Sequence, residues 1–191
     1  MMTETEARLS QPQVVKGSRE YYDIIQQLCD LRYGTGYIDR AVYEKWMEHP
    51  ELMSIALIDG EFAGFSVFVP ATVEELMTHM DMPREDVVRI AGDRPALIYK
   101  SAAVPFRFEK RGIMQLLLGS ALEELPGLGY GSIFGSAWVY GGKTPMGRLF
   151  DHFGFQRLYG RKMLWYHDKN YRCVVCGGRC RCDAMIYCKK L

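Results

Sequence analysis

Five of the six cysteines in this chain lie close together near its end. Cys173 and Cys176 have the spacing C-x-x-C and are followed by two glycines, and Cys180 and Cys182 come next with one residue between them. Two thiolates at the first spacing can chelate one metal ion. In an extended segment, Cys180 and Cys182 lie on the same side. The four thiolates therefore form a compact set suited to tetrahedral zinc, and Cys188 is a fifth thiol that could replace one of them.

A closed site of four thiolates leaves no coordination position for a substrate, so we expect the metal to be structural. An iron–sulfur cluster and free redox thiols are the alternatives. The side chains around the cysteines are basic, namely Arg172, Arg179, Arg181, Lys189 and Lys190. Basic residues on a zinc knuckle can bind nucleic acid, and the alternative is a solvated lid whose arginines tune the thiolates.

The segment EKRGIM, residues 109–114, is the second place where residue types suggest chemistry. It lies between a mostly apolar segment typical of a buried strand and a segment with helical spacing of apolar residues. Free backbone amides at a helix N-terminus, together with the helix dipole, favour an anion such as a pyrophosphate. Gly112 would allow close approach of the backbone, and Lys110 and Arg111 add positive charge.

Strand and helix patterns alternate along the rest of the chain. Caps, hairpin turns and apolar periodicity predict strands at 13–16, 52–58, 62–69, 96–104 and 132–140, helices at 19–32, after Asp39, at 112–125 and from Thr144, and a last hairpin of FQRLYG with RKMLWYH. This order predicts an α/β (α+β) domain over residues 1–168, followed by a cysteine-rich tail over residues 169–191.

Residues 71–95 interrupt the predicted sheet with two helices. Thr72 and Glu75 form a capping box, and Pro83 can open the second helix. The pair could be a DNA-binding helix-turn-helix or a helical hairpin over the edge of the sheet. Glu85 and Asp86 are unfavourable on a DNA-reading helix, so the hairpin is preferred.

The order of the predicted strands and helices, together with the turn at residues 109–114, resembles the GNAT superfamily, the GCN5-related N-acetyltransferases. The resemblance extends from about residue 13 to 167. The family's turn follows R/Q-x-x-G-x-G/A at a fixed distance after a valine, and Val104 and Gly112 keep that spacing. Leu149 and Phe150 precede a Gly-Phe pair, as an aliphatic–aromatic pair often does in the family. The resemblance implies a mixed, mostly antiparallel sheet flanked by helices.

The resemblance also implies that acetyl-coenzyme A binds in the gap between the fourth and fifth strands, where an amine acceptor attacks its thioester directly. The backbone of Ala103 and Val104 would bind the pantetheine arm. The pyrophosphate would be held by the turn, that is by Glu109, Lys110, Arg111, Gly112, Ile113 and Met114.

Four residues depart from the family pattern, one of them Pro105, which sits one place earlier than the usual proline. Glu109 stands where Arg or Gln is usual, and Met114 stands where Gly or Ala is usual. Phe150 replaces a tyrosine that protonates the leaving thiolate in many members. Tyr140, at the end of the fifth strand, is the nearest alternative acid, and the other interpretation is a strand-end aromatic whose hydroxyl lies in water. Four aromatic residues could line an acceptor pocket, although at strand spacing they are more often core: Trp138, Tyr140, Trp165 and Tyr166.

Composition bears on location and partners. No apolar run approaches the roughly 18 residues of a membrane helix, and the segment MMTETEARLSQPQ lacks the apolar core of a signal peptide. We therefore expect a cytoplasmic protein without a membrane partner. The net charge is +1, but residues 156–191 hold nine Lys and Arg against two Asp and Glu. A basic tail favours a polyanionic partner.

Three functional hypotheses follow. The first is an acetyl-coenzyme A-dependent N-acetyltransferase acting on an unidentified amine, stabilised by structural zinc. The second is a protein that modifies or binds nucleic acid, as the GNAT-like Mom proteins of phages modify DNA. The third is a GNAT fold that has lost catalysis and serves as a partner module. A homodimer is kept open as the assembly.

Overall fold

The computed structural model describes residues 11–191. The expectation about targeting falls mainly on residues 1–10, outside this range. Seven strands form one sheet, in the spatial order β1-β2-β3-β4-β5-β7-β6. Their bounds are β1 Gln13–Lys16, β2 Met53–Ile58, β3 Glu61–Ala71, β4 Ala96–Ala103, β5 Ser132–Val139, β6 Gln156–Arg161 and β7 Asp183–Lys190. All neighbouring strands pair antiparallel except β4 and β5, which are parallel. The expected mixed, mostly antiparallel sheet is thus confirmed.

Six α-helices flank the sheet within the described residues. They are α1 Tyr22–Arg32, α2 Arg40–Trp46, α3 Val73–Met80, α4 Arg84–Ala91, α5 Ile113–Glu124 and α6 Pro145–His152. Buried apolar residues pack four helices, α1, α2, α3 and α4, against one face of the sheet. The other two, α5 and α6, pack against the opposite face. Each strand can bury both of its faces, because side chains alternate across the sheet.

Several local signals specify these elements as expected. The Asp39 side chain accepts a hydrogen bond from the Val42 amide at 2.8 Å and caps α2. Thr72 and Glu75 form the capping box of α3. Between β2 and β3, Asp59 and Gly60 both have positive φ, at 54° and 78°, as a tight hairpin turn requires.

The insert is a helical hairpin that covers interior strands and reaches one edge of the sheet. Apolar residues of α3 and α4, including Leu76 and Val87, pack with Ile98 of β4, Phe134 of β5 and Ile186 of β7. The hairpin therefore covers three interior strands. It also reaches the edge strand β6, where the Tyr159 hydroxyl donates to the Asp86 carboxylate and Arg161 pairs with Asp81 at 3.3 Å. The expected packing over an edge of the sheet is thus present, and it extends onto interior strands.

The prediction of a final hairpin within residues 155–167 is wrong. Residues 156–161 form β6, residues 162–167 form turns, and β6 pairs instead with β7 from the tail. The tail strand runs between β5 and β6 and pairs with β5 over eight residues, from Ser132↔Lys190 to Val139↔Asp183. The predicted boundary at residue 168 therefore separates two parts of the chain that contribute to one sheet. Among residues 11–191, no helix is long and apolar enough to cross a membrane.

Candidate active site

Pairing between β4 and β5 covers only the first half of each strand. The register runs from Ala96↔Ser132 to Tyr99↔Gly135. Beyond it, β4 stays paired with β3 and β5 stays paired with β7. A gap therefore opens between two strands that both remain in the sheet, at the place the family resemblance implies.

A β-bulge in β4 lies where this gap begins. Val67 of β3 pairs with Ser101, and Phe68 pairs with Tyr99, so Lys100 has no partner in β3. Bulges redirect side chains and occur often beside active sites. Here the bulge falls at the first residue of β4 that has also lost its partner in β5.

The gap leads into a cavity of about 710 Å³, a size typical of ligand pockets. Residues from both strands, both layers of helices and the segment before the cysteines line it. They include Tyr99, Lys100, Ala103, Val104, Met114, Ser136, Trp138, Met146 and Leu149, together with Arg32, Tyr33, Tyr37, His79, Trp165, His167, Asp168 and Tyr171.

Residues 109–114, called the anion turn below, lead into the N-terminus of α5. Gly112 caps α5 with φ +76° and without a side-chain cap. The first hydrogen bond of the helix joins the Leu116 amide to the Gly112 carbonyl at 2.9 Å, so the amides of residues 112–115 have no partner within the helix. An exposed row of amides at the positive end of a helix dipole suits a phosphate.

Glu109 does not face this turn as a free charge. Its carboxylate forms an ion pair with the guanidinium of Arg32, the last residue of α1. The same guanidinium lies over the ring of Phe106, 4.3 Å from its centroid. An arginine from α1 thus offsets the carboxylate that departs from the family pattern.

The other predicted cofactor residues divide into three groups. Ala103, Val104 and Met114 line the cavity. Ile113 is buried against the core, so only its backbone is available there. Lys110 and Arg111 are exposed in the anion turn.

Two tyrosines cover the edge of β4 that the splayed strands leave open. The Tyr33 hydroxyl donates to the Ala102 carbonyl, and the Tyr37 hydroxyl donates to the Lys100 carbonyl at 3.1 Å. Both tyrosines belong to the connection between α1 and α2. Their hydroxyls satisfy carbonyls that would otherwise have no strand partner.

Besides arginine and tyrosines, the titratable side chains around the cavity are Lys100, His79, His167 and Asp168. Burial lowers the pKa of Lys100, and the Asp168 carboxylate partly opposes this shift. Partial burial and then the charge of Lys100 lower the pKa of His79 below its usual 6.5. At neutral pH His79 is therefore mostly unprotonated and can accept a proton.

Tyr140 lies outside the cavity. It is 59% exposed and forms a two-residue turn with Lys143, whose amide donates to the Tyr140 carbonyl at 2.9 Å. Its catalytic role stays a prediction. Trp138 and Trp165 line the cavity, whereas Tyr166 is exposed.

Phe150 is fully buried, and a tyrosine ring packs against it. The Tyr99 ring packs edge-on against Phe150, with centroids 5.6 Å apart. The Tyr99 hydroxyl is buried without a hydrogen-bond partner, and the residue lines the cavity. Burial raises the pKa of Tyr99, so its phenol is protonated at neutral pH and available to donate.

Cys173, Cys176, Cys180 and Cys182 form one cluster, with all four Sγ atoms within 4.8 Å of one another. The Sγ of Cys182 lies 4.0 Å from that of Cys173 and 3.5 Å from that of Cys176. The Arg181 amide donates to the Cys176 sulfur at 3.3 Å. Cys188 lies elsewhere, buried in β7 beneath the helical hairpin. Nucleic-acid binding by the basic side chains of the tail stays a prediction.

Sequence patterns did not reveal Tyr33, Tyr37, Tyr99, His79 and Asp168 as cavity residues. Tyr33 and its carbonyl partner are 69 positions apart in the chain. Each of these residues also fits an ordinary helix, strand or loop environment, so no local signal distinguishes it. Only the lysine at the bulge, Lys100, stands out as a charge within an apolar strand.

The fold is that of the GCN5-related N-acetyltransferases, as comparison with solved structures shows. The NatC complex bound to Gag peptide and CoA contains a chain that matches with a TM-score of 0.68 and 16% identity, covering 95% of this chain and 99% of that one. The Drosophila melanogaster polyamine N-acetyltransferase matches with a TM-score of 0.68 and 12% identity, over 95% and 100%. The ribosomal-protein-S18-alanine N-acetyltransferase from Escherichia coli gives 0.63 and 12%, over 94% of both chains.

Comparisons of sequence found no match. No protein-family model matches the chain, and no curated protein matches it. Identities of 12–16% establish the architecture alone.

Proposed function

We propose that the protein transfers an acetyl group from acetyl-coenzyme A to an amine. The observation that carries this proposal is the alignment of two features. The Gly112 turn offers four amides without helical partners, and the cavity between β4 and β5 begins beside it at Met114 and Val104. A pyrophosphate on the turn would leave the rest of the cofactor directed into the gap.

The residues present fit that cofactor. Positive φ at Gly112 and its open surroundings, with only the Gln115 side chain within 4 Å of an added Cβ, allow close approach of a phosphate. Lys110 and Arg111 add charge, and Arg32 neutralises Glu109. The pantetheine arm would take the backbone of Ala103 and Val104.

The chain offers two groups for proton transfer. Acetyl-coenzyme A supplies the acetyl group as a thioester, which the acceptor nitrogen attacks with direct loss of the thiolate. His79 is a candidate base for the proton of the acceptor ammonium, because its pKa is lowered. Tyr99 is a candidate donor to the leaving sulfur in place of Phe150, because its hydroxyl has no partner and the residue lines the cavity.

We further propose zinc in the four-cysteine cluster. Zn–S bonds of about 2.3 Å in a tetrahedron place sulfur atoms about 3.8 Å apart, and the separations of 3.5 and 4.0 Å lie on either side of this value. Four thiolates and an amide donor to sulfur form a closed site, so the role is structural.

The test of the proposed activity is calorimetric titration with coenzyme A, followed by acetyl transfer to a panel of amines that includes agmatine, spermidine and short peptides. Gly112→Glu places a carboxylate on the anion turn and is expected to weaken binding about tenfold or more. Gly129→Glu is the matched control, because Gly129 also has positive φ and open surroundings but lies at the other end of the helical segment. Equal binding by both variants would contradict the assignment of the turn.

A further inference from the structure

The cysteine-rich segment contacts the connection between α1 and α2 through the backbone. The Arg172 amide donates to the Thr35 carbonyl and the Val174 amide donates to the Tyr33 carbonyl, both at 2.8 Å. Cys173, a member of the cluster, is the residue between these two donors. A shift of Cys173 would therefore move both hydrogen bonds.

Two glycines make this contact close. A Cβ on Gly34 would lie 1.8 Å from the Arg172 carbonyl oxygen, and a Cβ on Gly36 would lie 2.3 Å from the Asn170 carbonyl oxygen. Both glycines have positive φ. No side chain larger than hydrogen fits between the two segments, so their separation is fixed at backbone contact.

The same connection forms a wall of the cavity. Tyr33 and Tyr37 reach from it to the carbonyls of Ala102 and Lys100 on the open edge of β4. Tyr171, two residues before Cys173, donates to the Tyr33 carbonyl at 2.9 Å and packs against the Tyr37 ring at 5.8 Å. A continuous set of contacts thus runs from the cysteines to β4.

The cysteines also adjoin the cavity through two indoles. Trp138 of β5 and Trp165 pack against the cluster of Tyr171 and the buried cysteines, and both indoles line the cavity. None of these contacts involves Met114 or the amides at the start of α5.

We infer that metal bound by Cys173, Cys176, Cys180 and Cys182 positions the Tyr33–Tyr37 connection and hence the wall of the cavity that this connection forms, where the proposed acceptor would bind. The metal acts on the site through Tyr171 and the backbone of residues 172–174. If the metal only raised the global stability of the fold, its removal would loosen the start of α5 as much as the Tyr33–Tyr37 connection. The part of this inference that concerns the acceptor rests on the proposed function, whereas the coupling between metal and connection does not.

The test compares hydrogen exchange in zinc-loaded protein with exchange after metal removal by a chelator, with the metal content counted by native mass spectrometry. We expect exchange at residues 33–37 to rise about tenfold or more, as in a local opening, while residues 113–118 of α5 change little. Cys180→Ser should reproduce this pattern. Cys188→Ser is the matched control, because Cys188 is also a buried cysteine but lies outside the cluster.

A second pair of variants keeps the cysteines intact. Gly36→Ala forces a clash with Asn170, whereas Gly60→Ala has nearly the same φ, +78° against +75°, and nothing within 4 Å. We expect Gly36→Ala to keep one metal per chain but to lose the response of exchange at residues 33–37 to metal removal, whereas Gly60→Ala should respond as the unsubstituted protein does. This comparison tests the coupling even if Cys180→Ser does not fold.

With agmatine as the probe amine, metal removal is expected to raise the acceptor KM more than it changes coenzyme A affinity. Unchanged exchange at residues 33–37 after complete metal loss would overturn the inference, whatever the activity. Absence of acetyl transfer to any amine, with the exchange pattern as expected, would instead count against the proposed function alone.

Discussion

Arg32 and Glu109 form an ion pair that joins the end of α1 to the anion turn before α5. The pair turns an unfavourable residue for phosphate binding into a neutral one. It also connects the turn to Tyr33, the next residue after Arg32, and so to the wall of the cavity. Binding of the cofactor's phosphates is therefore expected to depend on a residue outside the family's turn.

We predict that Arg32→Ala weakens coenzyme A binding about fivefold, because the Glu109 carboxylate then faces the pyrophosphate without its partner. The effect is modest since both side chains are partly exposed. Calorimetry on Arg32→Ala, Glu109→Gln and the double variant forms a cycle. Restored affinity in the double variant is the expected result, and additive losses would show that the pair has no role.

Tyr99→Phe is predicted to lower kcat by about 100-fold, a loss typical of a missing general acid. Tyr140→Phe is the matched control and should change kcat less than twofold, because Tyr140 is exposed outside the cavity. Steady-state kinetics with saturating acetyl-coenzyme A measures both. A large loss in Tyr140→Phe alone would reverse the assignment.

The pKa of His79 predicts the acid side of the pH profile. Because the folded-state pKa lies below 6.5, the unprotonated base persists at neutral pH and kcat/KM should fall only as pH drops below that value. His79→Gln should lower kcat/KM at pH 7 and remove this acid limb. A profile unchanged by the substitution would exclude His79 as the base.

Thiol reactivity should separate the six cysteines. Burial raises the pKa of Cys29 to about 12, so its thiol stays protonated at pH 8 and unreactive towards iodoacetamide. In chelator-treated protein, Cys176, the exposed member of the cluster, should be modified first. Mass spectrometry of peptides locates the label, and denatured protein should label at every cysteine. Fast labelling of Cys29 in folded protein would contradict its burial.

The sequence predicted local structure well where the signal is local. The capping box at Thr72, the Asp59-Gly60 turn and the helix that begins after Gly112 each depend on neighbours within a few residues. The identity of the anion turn rested on spacing between Val104 and Gly112. In the structure Val104 lines the cavity and Gly112 caps α5, whereas cofactor binding there stays a prediction.

The cavity wall and the last strand were not predictable in this way. Tyr33, Tyr37 and Lys100 meet only after α1 and β4 have packed, and no periodicity encodes such a contact. In DAMIYCKK, residues 183–190, apolar and polar residues alternate imperfectly because this interior strand buries both of its faces. Its Cys188 was compatible with a metal site as well as with the core. In both cases the structure depends on contacts between residues that are far apart in the chain.

The position of β7 has a consequence for biosynthesis. This strand is translated after β6, yet it lies between β5 and β6, and β6 pairs with no other strand among residues 11–191. On the ribosome, β6 must wait without a partner until residue 190 has left the exit tunnel. Cys182 immediately precedes this strand, so capture of a metal by the nascent cysteines would occur just as the missing strand becomes free to enter the sheet.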